Sequence, residues 1–196
     1  TLQTLENVKM AEDCGVDLVH ITEPYYYRFE GKPYGERELV AHYEAIADNA
    51  NVPVTIYFHD NRWPNVTPGK CPEPLKRLAQ HPNIVGLKAS VGDQRILQSL
   101  VWETDSENFG IATTFGHMAY ASLIIGCHAT TAPEAVVAPG MFVDMYNVVQ
   151  QRDYEKAMEI QRKLIPLCNA LRGFDAPSTK VAAAALGLCS ERLVAP

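Results

Sequence analysis

The sequence has no apolar run close to the about 20 residues that a membrane-spanning helix requires, and no run of basic residues longer than a pair. Its 17 lysines and arginines are outnumbered by 23 aspartates and glutamates, which gives a formal charge of −6. These absences argue against a membrane span and against a nucleic-acid partner, since a nucleic-acid-binding surface needs an excess of positive charge. The opening residues TLQT also lack the basic and then apolar layout of a secretory signal.

Metal-binding and phosphate-binding motifs are missing as well. The five cysteines are odd in number, lie far apart and form no CxxC pair, which favours free thiols and a cytoplasmic protein. The six histidines form no HExxH motif and no close Cys/His spacing, so we predict no bound metal. Neither GxxxxGK[ST] nor GxGxxG is present, so nothing indicates a nucleotide cofactor.

Short apolar segments and amphipathic helices alternate along the first two thirds of the chain. The 196 residues, of which 47% are hydrophobic, suffice for one sizeable core. We predict helices between five strands, and the strands lie at residues 16–22, 52–58, 84–90, 109–114 and 127–131. Because these strands are apolar rather than alternating, the pattern predicts an α/β fold in which helices cover a parallel sheet.

From Pro139 onward the sequence predicts only helices. A helix over residues 154–171 is expected to bury four residues, namely Met158, Leu164, Ile165 and Leu167. A final Ala-rich helix is expected to begin at Ser178, which is a plausible N-cap.

Functional side chains of such folds collect at the carboxyl ends of the strands. Lys88 lies inside the apolar strand 84–90, and burial disfavours its ammonium form. The residues alone leave two interpretations open: a strand-end lysine that reaches water, which is the commoner case, or a nucleophile with a lowered pKa.

Two further candidates lie near the end of the strand at 52–58, one within it and one in the loop that follows. Tyr57 is either a packing residue or a phenol that transfers protons, and Arg62 is either solvated or placed to bind a carboxylate. The run Tyr25–Tyr27 is equally interpretable as an interface cluster or as core.

The histidines give weaker signals. His59 and Asp60 are either acid–base groups or ordinary loop residues, and His20 is interpreted as a strand histidine without a special role.

Several separated segments are similar to one known family. PYY, HYEAIADNANVPVTIYF, HPNIVGLKASVGD, DYEKAMEIQRKLIPLCNAL and PSTKVAAAALGL occur in that order. Together they resemble the dihydrodipicolinate synthase / N-acetylneuraminate lyase family, and the resemblance extends over essentially the whole chain. The resemblance implies class I aldolases and lyases that work through a Schiff base and need neither a metal nor an organic cofactor.

The resemblance also implies roles for five residues. Lys88 matches the Schiff-base lysine, and Tyr57 matches the tyrosine that relays protons. Arg62 stands where synthase-type members place an arginine near the substrate carboxylate. Gly86 matches the glycine two residues before the lysine, and we expect it to bind substrate as well. Tyr26 matches a tyrosine that synthase-type members lend across a dimer interface into the neighbouring site, which implies a homo-oligomer, either a dimer or a tetramer.

The implied fold is a (β/α)8 TIM barrel with extra C-terminal helices. Such a barrel typically needs about 250 residues, and family members begin with about three more strand–helix units. We therefore expect residues 1–138 to form a partial barrel of about the last five units, residues 139–196 to form a C-terminal helical region, and the chain to be a fragment.

Departures from the family pattern leave the substrate open. Phe58 to Asn61 replace an Asn-x-Pro sequence, and Asp60-Asn61 resembles the 5-dehydro-4-deoxyglucarate dehydratase branch instead. Thr113 to Gly116 stand where synthases have Gly-Asp-Asp. The expected function is a Schiff-base lyase or synthase acting on pyruvate or a related 2-oxo acid. The alternatives are a sugar-acid dehydratase and a non-catalytic family relative.

Overall fold

The computed structural model of the protein describes residues 1–24, 35–104, 107–171 and 176–192. Five strands and eight α-helices lie in these ranges. The strands are β1 (Val19–Ile21), β2 (Val54–His59), β3 (Ile84–Ser90), β4 (Gly110–Thr113) and β5 (Ala129–Thr130). The helices are α1 (Leu2–Asp13), α2 (Glu36–Ala47), α3 (Glu73–Leu78), α4 (Gln94–Glu103), α5 (Ala119–Ile124), α6 (Pro139–Gln150), α7 (Tyr154–Leu171) and α8 (Ala176–Ala185).

The five strands form a parallel sheet in the order β1-β2-β3-β4-β5, so strands that follow one another in sequence are neighbours in space. The predicted α/β class and the predicted number of strands are confirmed. The chain divides into two compact units, residues 1–112 and 113–196. The predicted boundary after residue 138 marks the point where the alternation of strands and helices ends. The division after residue 112 separates compact units and does not test that boundary, which stays a prediction.

The core of the first unit lies between one face of β2 and helix α2. Val54, Ile56 and Phe58 of β2 are inaccessible to solvent, whereas the residues between them are half-buried. The inner face of α2 is equally buried, since three of its side chains are also inaccessible to solvent: Leu39, Tyr43 and Ile46. Side chains alternate between the two faces of a strand, so β2 presents an apolar face to the helices and a polar face to the other side.

The position of β3 against β2 depends on Asn83, immediately before β3. Its amide nitrogen lies 2.9, 3.1 and 3.3 Å from the carbonyl oxygens of Ala47, Ala50 and Val52, and donates to them. The backbone carbonyl of Asn83 accepts a hydrogen bond from the backbone amide of Val54 at 2.9 Å. One asparagine therefore joins the end of α2, the turn after it and the start of β2.

The ladder between β2 and β3 is not regular. Val54 pairs with Ile84, but Thr55 pairs with Gly86, so Val85 has no partner in β2. An extra residue of this kind reverses which face each later side chain occupies. As a result, two successive residues of β3, Gly86 and Leu87, are both buried.

His42 of α2 connects three elements in the interior. Its Nε2 donates to the Thr22 carbonyl at 3.1 Å, so its Nδ1 accepts from the Thr1 hydroxyl at 3.1 Å. Burial lowers the pKa of His42, and the hydrogen bond to Thr22 opposes that effect only in part. The imidazole is therefore held neutral between the start of α1 and the loop after β1.

The second unit is built around α6 and α7. Met145 and Leu164 are among its buried residues. Gln161 of α7 donates to the Gly116 carbonyl at 3.0 Å and accepts from the Tyr120 amide at 2.8 Å, which ties α7 to the start of α5.

Two predictions for the C-terminal helices are wrong. Ser178 does not cap α8, because the helix is already formed at residue 176 and Ser178 lies within it. Met158 does not face inward but is 40% exposed, and Ala157 and Cys168 are buried on that face of α7 instead. The predicted bounds of α7 were right, but its buried residues lie on a partly different face of the helix. A 3.6-residue repeat of apolar side chains does not by itself show which row of them meets the core.

No disulfide joins the five cysteines, all of which lie among the described residues. Burial raises the pKa of both Cys71 and Cys127 to about 12, so these two remain protonated. In the part of the chain that the structure describes, no helix has both the length and the apolar character needed to cross a membrane.

His42 makes stability depend on pH. The folded state holds its pKa below the ordinary value, so the unfolded chain binds the proton at higher pH. Stability should therefore be constant above about pH 6.5 and fall as the pH drops below that value. We expect the free energy of unfolding, measured with urea between pH 5 and 8, to decline on the acid side in the wild type. Carboxylates titrate lower, near pH 4.

The matched variant is His42→Gln, which retains a donor for Thr22 and does not titrate. It should be less stable by about 1 kcal/mol at pH 8 and show a smaller decline towards pH 5. Burial lowers the pKa of His20 too, so the His20→Gln/His42→Gln double variant should be flatter still. An unchanged slope in His42→Gln would contradict the assignment.

Candidate active site

Tyr57 and Lys88 lie side by side on the polar face of the sheet. They are direct register partners in β2 and β3, and the Lys88 Nζ lies 4.7 Å from the centroid of the Tyr57 ring. A lysine at this distance over an aromatic face makes a favourable cation–π contact. The two residues that the sequence predicts as catalytic are thus brought together by one pair of strands.

The surroundings of Lys88 explain how an apolar strand tolerates it. Leu87 and Ala89, its neighbours in β3, are buried, whereas Lys88 itself is half-buried. Lys88 lies inside the strand rather than at its end, and its aliphatic stem can remain along the sheet while the ammonium group reaches the polar face.

His20 of β1 belongs to the same cluster. Its ring centroid lies 5.7 Å from that of Tyr57, and its Nδ1 lies 2.9 Å from the Thr55 hydroxyl oxygen. Partial burial lowers the pKa of His20, and the positive charge of Lys88 lowers it further. Sequence reasoning gave His20 no role, because the register that aligns it with Thr55 is not visible in a three-residue strand.

Gly86 is held in a close backbone contact. A Cβ atom at this position would lie 2.3 Å from the carbonyl oxygen of Gly110, far inside the distance of ordinary contact. The adjacent strands therefore require a glycine here, two residues before Lys88. Packing therefore explains why residue 86 is a glycine. The contact of Gly86 with substrate stays a prediction.

Arg62 pairs with Glu23 at the carboxyl ends of β2 and β1. The Nη1 atom of Arg62 lies 2.9 Å from Oε1 of Glu23, and the side chains are 34% and 6% exposed, respectively. Within the described residues, Oε2 of Glu23 is buried without a hydrogen-bond partner. The Arg62 charge is thus partly balanced by a buried carboxylate, a partner that sequence reasoning did not identify.

Trp63 fixes the start of the loop that carries Arg62. It is 3% exposed, and its ring stacks on Tyr43 at 5.7 Å and meets Phe58 at 5.1 Å between centroids. Aromatic contacts of this kind contribute beyond the area that they bury. Arg62 therefore precedes an anchored residue rather than lying in a free loop.

His59 and Asp60 form a pair at the end of β2. His59 Nδ1 lies 3.2 Å from Asp60 Oδ1, and both side chains are about a quarter exposed, at 26% and 28%. Tyr26, the remaining predicted catalytic residue, lies outside the described residues. Among the residues that are described, no group of three or more histidine, cysteine or acidic side chains could hold a metal ion.

The parallel strands lie side by side in chain order, with helices between them. A lysine–tyrosine pair lies on the sheet face away from those helices. These features define an α/β protein built from barrel-type strand–helix units. The model of the dihydrodipicolinate synthetase family matches residues 1–196, and the chain belongs to that family.

Known relatives are longer than this chain. A 4-hydroxy-tetrahydrodipicolinate synthase of Methanospirillum hungatei JF-1 is 33% identical over 198 residues, which cover 100% of this chain and 65% of that protein. The dihydrodipicolinate synthase structure from Thermotoga maritima is 25% identical, with a TM-score of 0.86 over 97% of this chain and 63% of that one.

A chloride-inhibited dihydrodipicolinate synthase from Acinetobacter baumannii, solved with pyruvate, is 24% identical and has a TM-score of 0.82, over 95% of this chain and 61% of that one. The chain thus spans about two thirds or less of the length of these relatives. The structural matches confirm the strand–helix arrangement over that part.

The Gly86 contact predicts a large effect of one methyl group. Gly86→Ala should lower the free energy of unfolding by about 3 kcal/mol, because the backbone of β4 blocks the new Cβ. Gly92→Ala is the matched control just beyond the same strand, where a Cβ would have no neighbour within 4 Å, and it should change stability by less than about 0.5 kcal/mol. Urea unfolding of both variants measures the difference, and equal effects would contradict the packing role.

The Glu23–Arg62 pair predicts asymmetric effects. Arg62→Met leaves a buried carboxylate without its cation and should cost about 2 kcal/mol. Glu23→Gln retains an acceptor for Arg62 and should cost less. A double-mutant cycle of urea unfolding should give a coupling energy of about 1 kcal/mol, since Arg62 is partly exposed. A coupling energy near zero would show that the pair is not energetically linked.

Proposed function

We propose that the protein is a Schiff-base-forming lyase or synthase that acts on pyruvate or a related 2-oxo acid. The observation that carries the proposal is the contact of Lys88 with Tyr57, at 4.7 Å from Nζ to the ring centroid, in a chain of the dihydrodipicolinate synthetase family. A 4-hydroxy-tetrahydrodipicolinate synthase activity would be one form of this chemistry.

In the proposed reaction, the neutral amine of Lys88 attacks the ketone carbon of the 2-oxo acid. The resulting carbinolamine loses water to give a protonated imine, which then accepts electrons as a carbon–carbon or carbon–oxygen bond is made or broken. Tyr57, next to the amine, is the proposed acid and base, because its phenol can pass a proton to the departing hydroxyl.

Arg62 is proposed to bind the substrate carboxylate. The pairing of Arg62 with Glu23 leaves the guanidinium with further donors, since it presents five N–H groups and one bond of 2.9 Å joins it to Glu23. Gly86 is proposed to bring the backbone close to the substrate, and Tyr26 to complete the site from a neighbouring subunit in a dimer or tetramer.

A sugar-acid dehydratase is the second candidate. Asp60-Asn61 after β2 supports it, because the sequence there departs from the synthase pattern and resembles the dehydratase branch. Both candidates share the Lys88 imine and differ in the bond that breaks. Product analysis separates them: a dehydratase releases water from a hydroxylated acid, whereas a lyase releases a second carbonyl compound.

Borohydride reduction of the full chain with pyruvate tests the shared step. We expect a reduced pyruvyl adduct on the peptide that contains Lys88, located by peptide mass spectrometry. Lys88→Arg should give no adduct there, whereas Lys70→Arg, a control lysine in the loop before α3, should react like the wild type. Tyr57→Phe should form the adduct about 100-fold more slowly.

The absence of any Lys88 adduct with pyruvate and with a panel of other 2-oxo acids would overturn the proposal and favour a non-catalytic relative. An adduct on another lysine would overturn the role of Lys88.

A further inference from the structure

Three ionisable side chains from successive strands share the polar face of the sheet. His20 of β1 is aligned with Thr55 of β2, and Tyr57, two residues further along β2, is aligned with Lys88 of β3. Residues two apart on a strand project from the same face. The contacts agree with this alignment, since Tyr57 lies between His20, at 5.7 Å from ring to ring, and the Lys88 ammonium.

A chain of two hydrogen bonds determines the tautomer of His20. The Thr55 hydroxyl donates its one proton to the Val19 carbonyl at 3.2 Å. The same oxygen, 2.9 Å from Nδ1 of His20, must then accept the proton on Nδ1. In the neutral ring the proton lies on Nδ1, and Nε2 carries a free lone pair.

The charge of Lys88 favours that neutral ring. Partial burial and the Lys88 charge both lower the pKa of His20, so the two groups together tend to hold one positive charge rather than two. If Lys88 loses its proton, the electrostatic part of the obstacle to a charge on His20 is removed, and the cost of burial remains.

The other ionisable groups near His20 are few. Neighbouring β2 contributes Tyr57 and His59, and Glu23 follows the end of β1. Helix α1 lines the same cleft of about 700 Å³ as His20, and none of the α1 residues that line it carries an ionisable side chain. The cleft gives water access to the ring.

We propose that His20 is an auxiliary base of the site, whose Nε2 takes up, through Tyr57, the proton that the Lys88 ammonium loses before its amine attacks the ketone. His20 returns this proton, through Tyr57, to the carbinolamine hydroxyl as water leaves. The net change converts one ammonium group and one ketone to one protonated imine and one water, with no proton gained or lost by His20 over the sequence. The inference rests on the proposed function, and His20 is a positioning residue that acts through Lys88 and Tyr57.

The first test measures the tautomer of His20 and the effect of Lys88 on its pKa, without substrate. In ¹⁵N-detected NMR of the wild type, the neutral His20 ring should carry its proton on Nδ1, and in Thr55→Val that preference should be lost. In Lys88→Met the pKa of His20 should rise, because the nearby positive charge is gone. A wild-type ring protonated on Nε2, or a His20 pKa that ignores Lys88→Met, would overturn the inference.

The second test uses the rate of borohydride-trapped imine formation with pyruvate. His20→Asn keeps a donor in the place of Nδ1 and removes Nε2, and it should slow trapping about 100-fold. Added imidazole should raise the trapping rate of His20→Asn at least tenfold. A variant with a merely structural defect would not respond to imidazole. His81→Asn is the matched control, since its imidazole pairs with Asp48 before the start of β3, and it should react at the wild-type rate.

The outcomes separate the two proposals. A wild type that forms no Lys88 adduct overturns the proposed function and the role of His20 with it. A wild type that forms the adduct normally while His20→Asn reacts equally fast, or fails to respond to imidazole, overturns the role of His20 alone.

Discussion

The candidate site depends on the one-residue irregularity between β2 and β3. Because Val85 has no partner, Tyr57 is opposite Lys88 rather than Leu87. In a regular ladder, Lys88 would face Phe58, whose side chain packs inside the core, and an ammonium group there would need several kcal/mol of compensation. The extra residue turns the lysine to the polar face and directs Leu87 and Ala89 inward. Asn83 stabilises the start of this arrangement, and the close approach of Gly86 to Gly110 follows directly after the irregularity.

Around this centre, the two cationic side chains are accommodated in different ways. Lys88 lies against an aromatic face and lowers the pKa of a neighbouring imidazole, and Arg62 is joined to the buried Glu23. A carboxylate thus balances the charge of Arg62, whereas the ammonium group of Lys88 is stabilised by the face of an aromatic ring. These contacts differ from the simple expectation that the arginine is free and the lysine isolated. Trp63, wedged against Tyr43 and Phe58, links the position of Arg62 to the core of the first unit.

Much of the fold was predictable because local signals agreed. The bounds of β3 and α7 were predicted to the residue, since a short apolar run and a long amphipathic repeat each indicate their element directly. Lys88, Tyr57 and Gly86 were found through a family resemblance, because their residue types by themselves left ordinary explanations open. His20 and Glu23 were given no role, since their partners Thr55 and Arg62 are 35 and 39 residues away.

The sequence by itself determined the α/β class, the five strands and the family, because periodicity, turn residues and ordered motifs are local properties of the chain. The tertiary structure decided which side chains meet. Register, the unpaired Val85 and the direction of each hydrogen bond arise only when strands align. The tautomer of His20 therefore depends on a hydroxyl in another strand, and the setting of Lys88 depends on a ladder that no local pattern encodes.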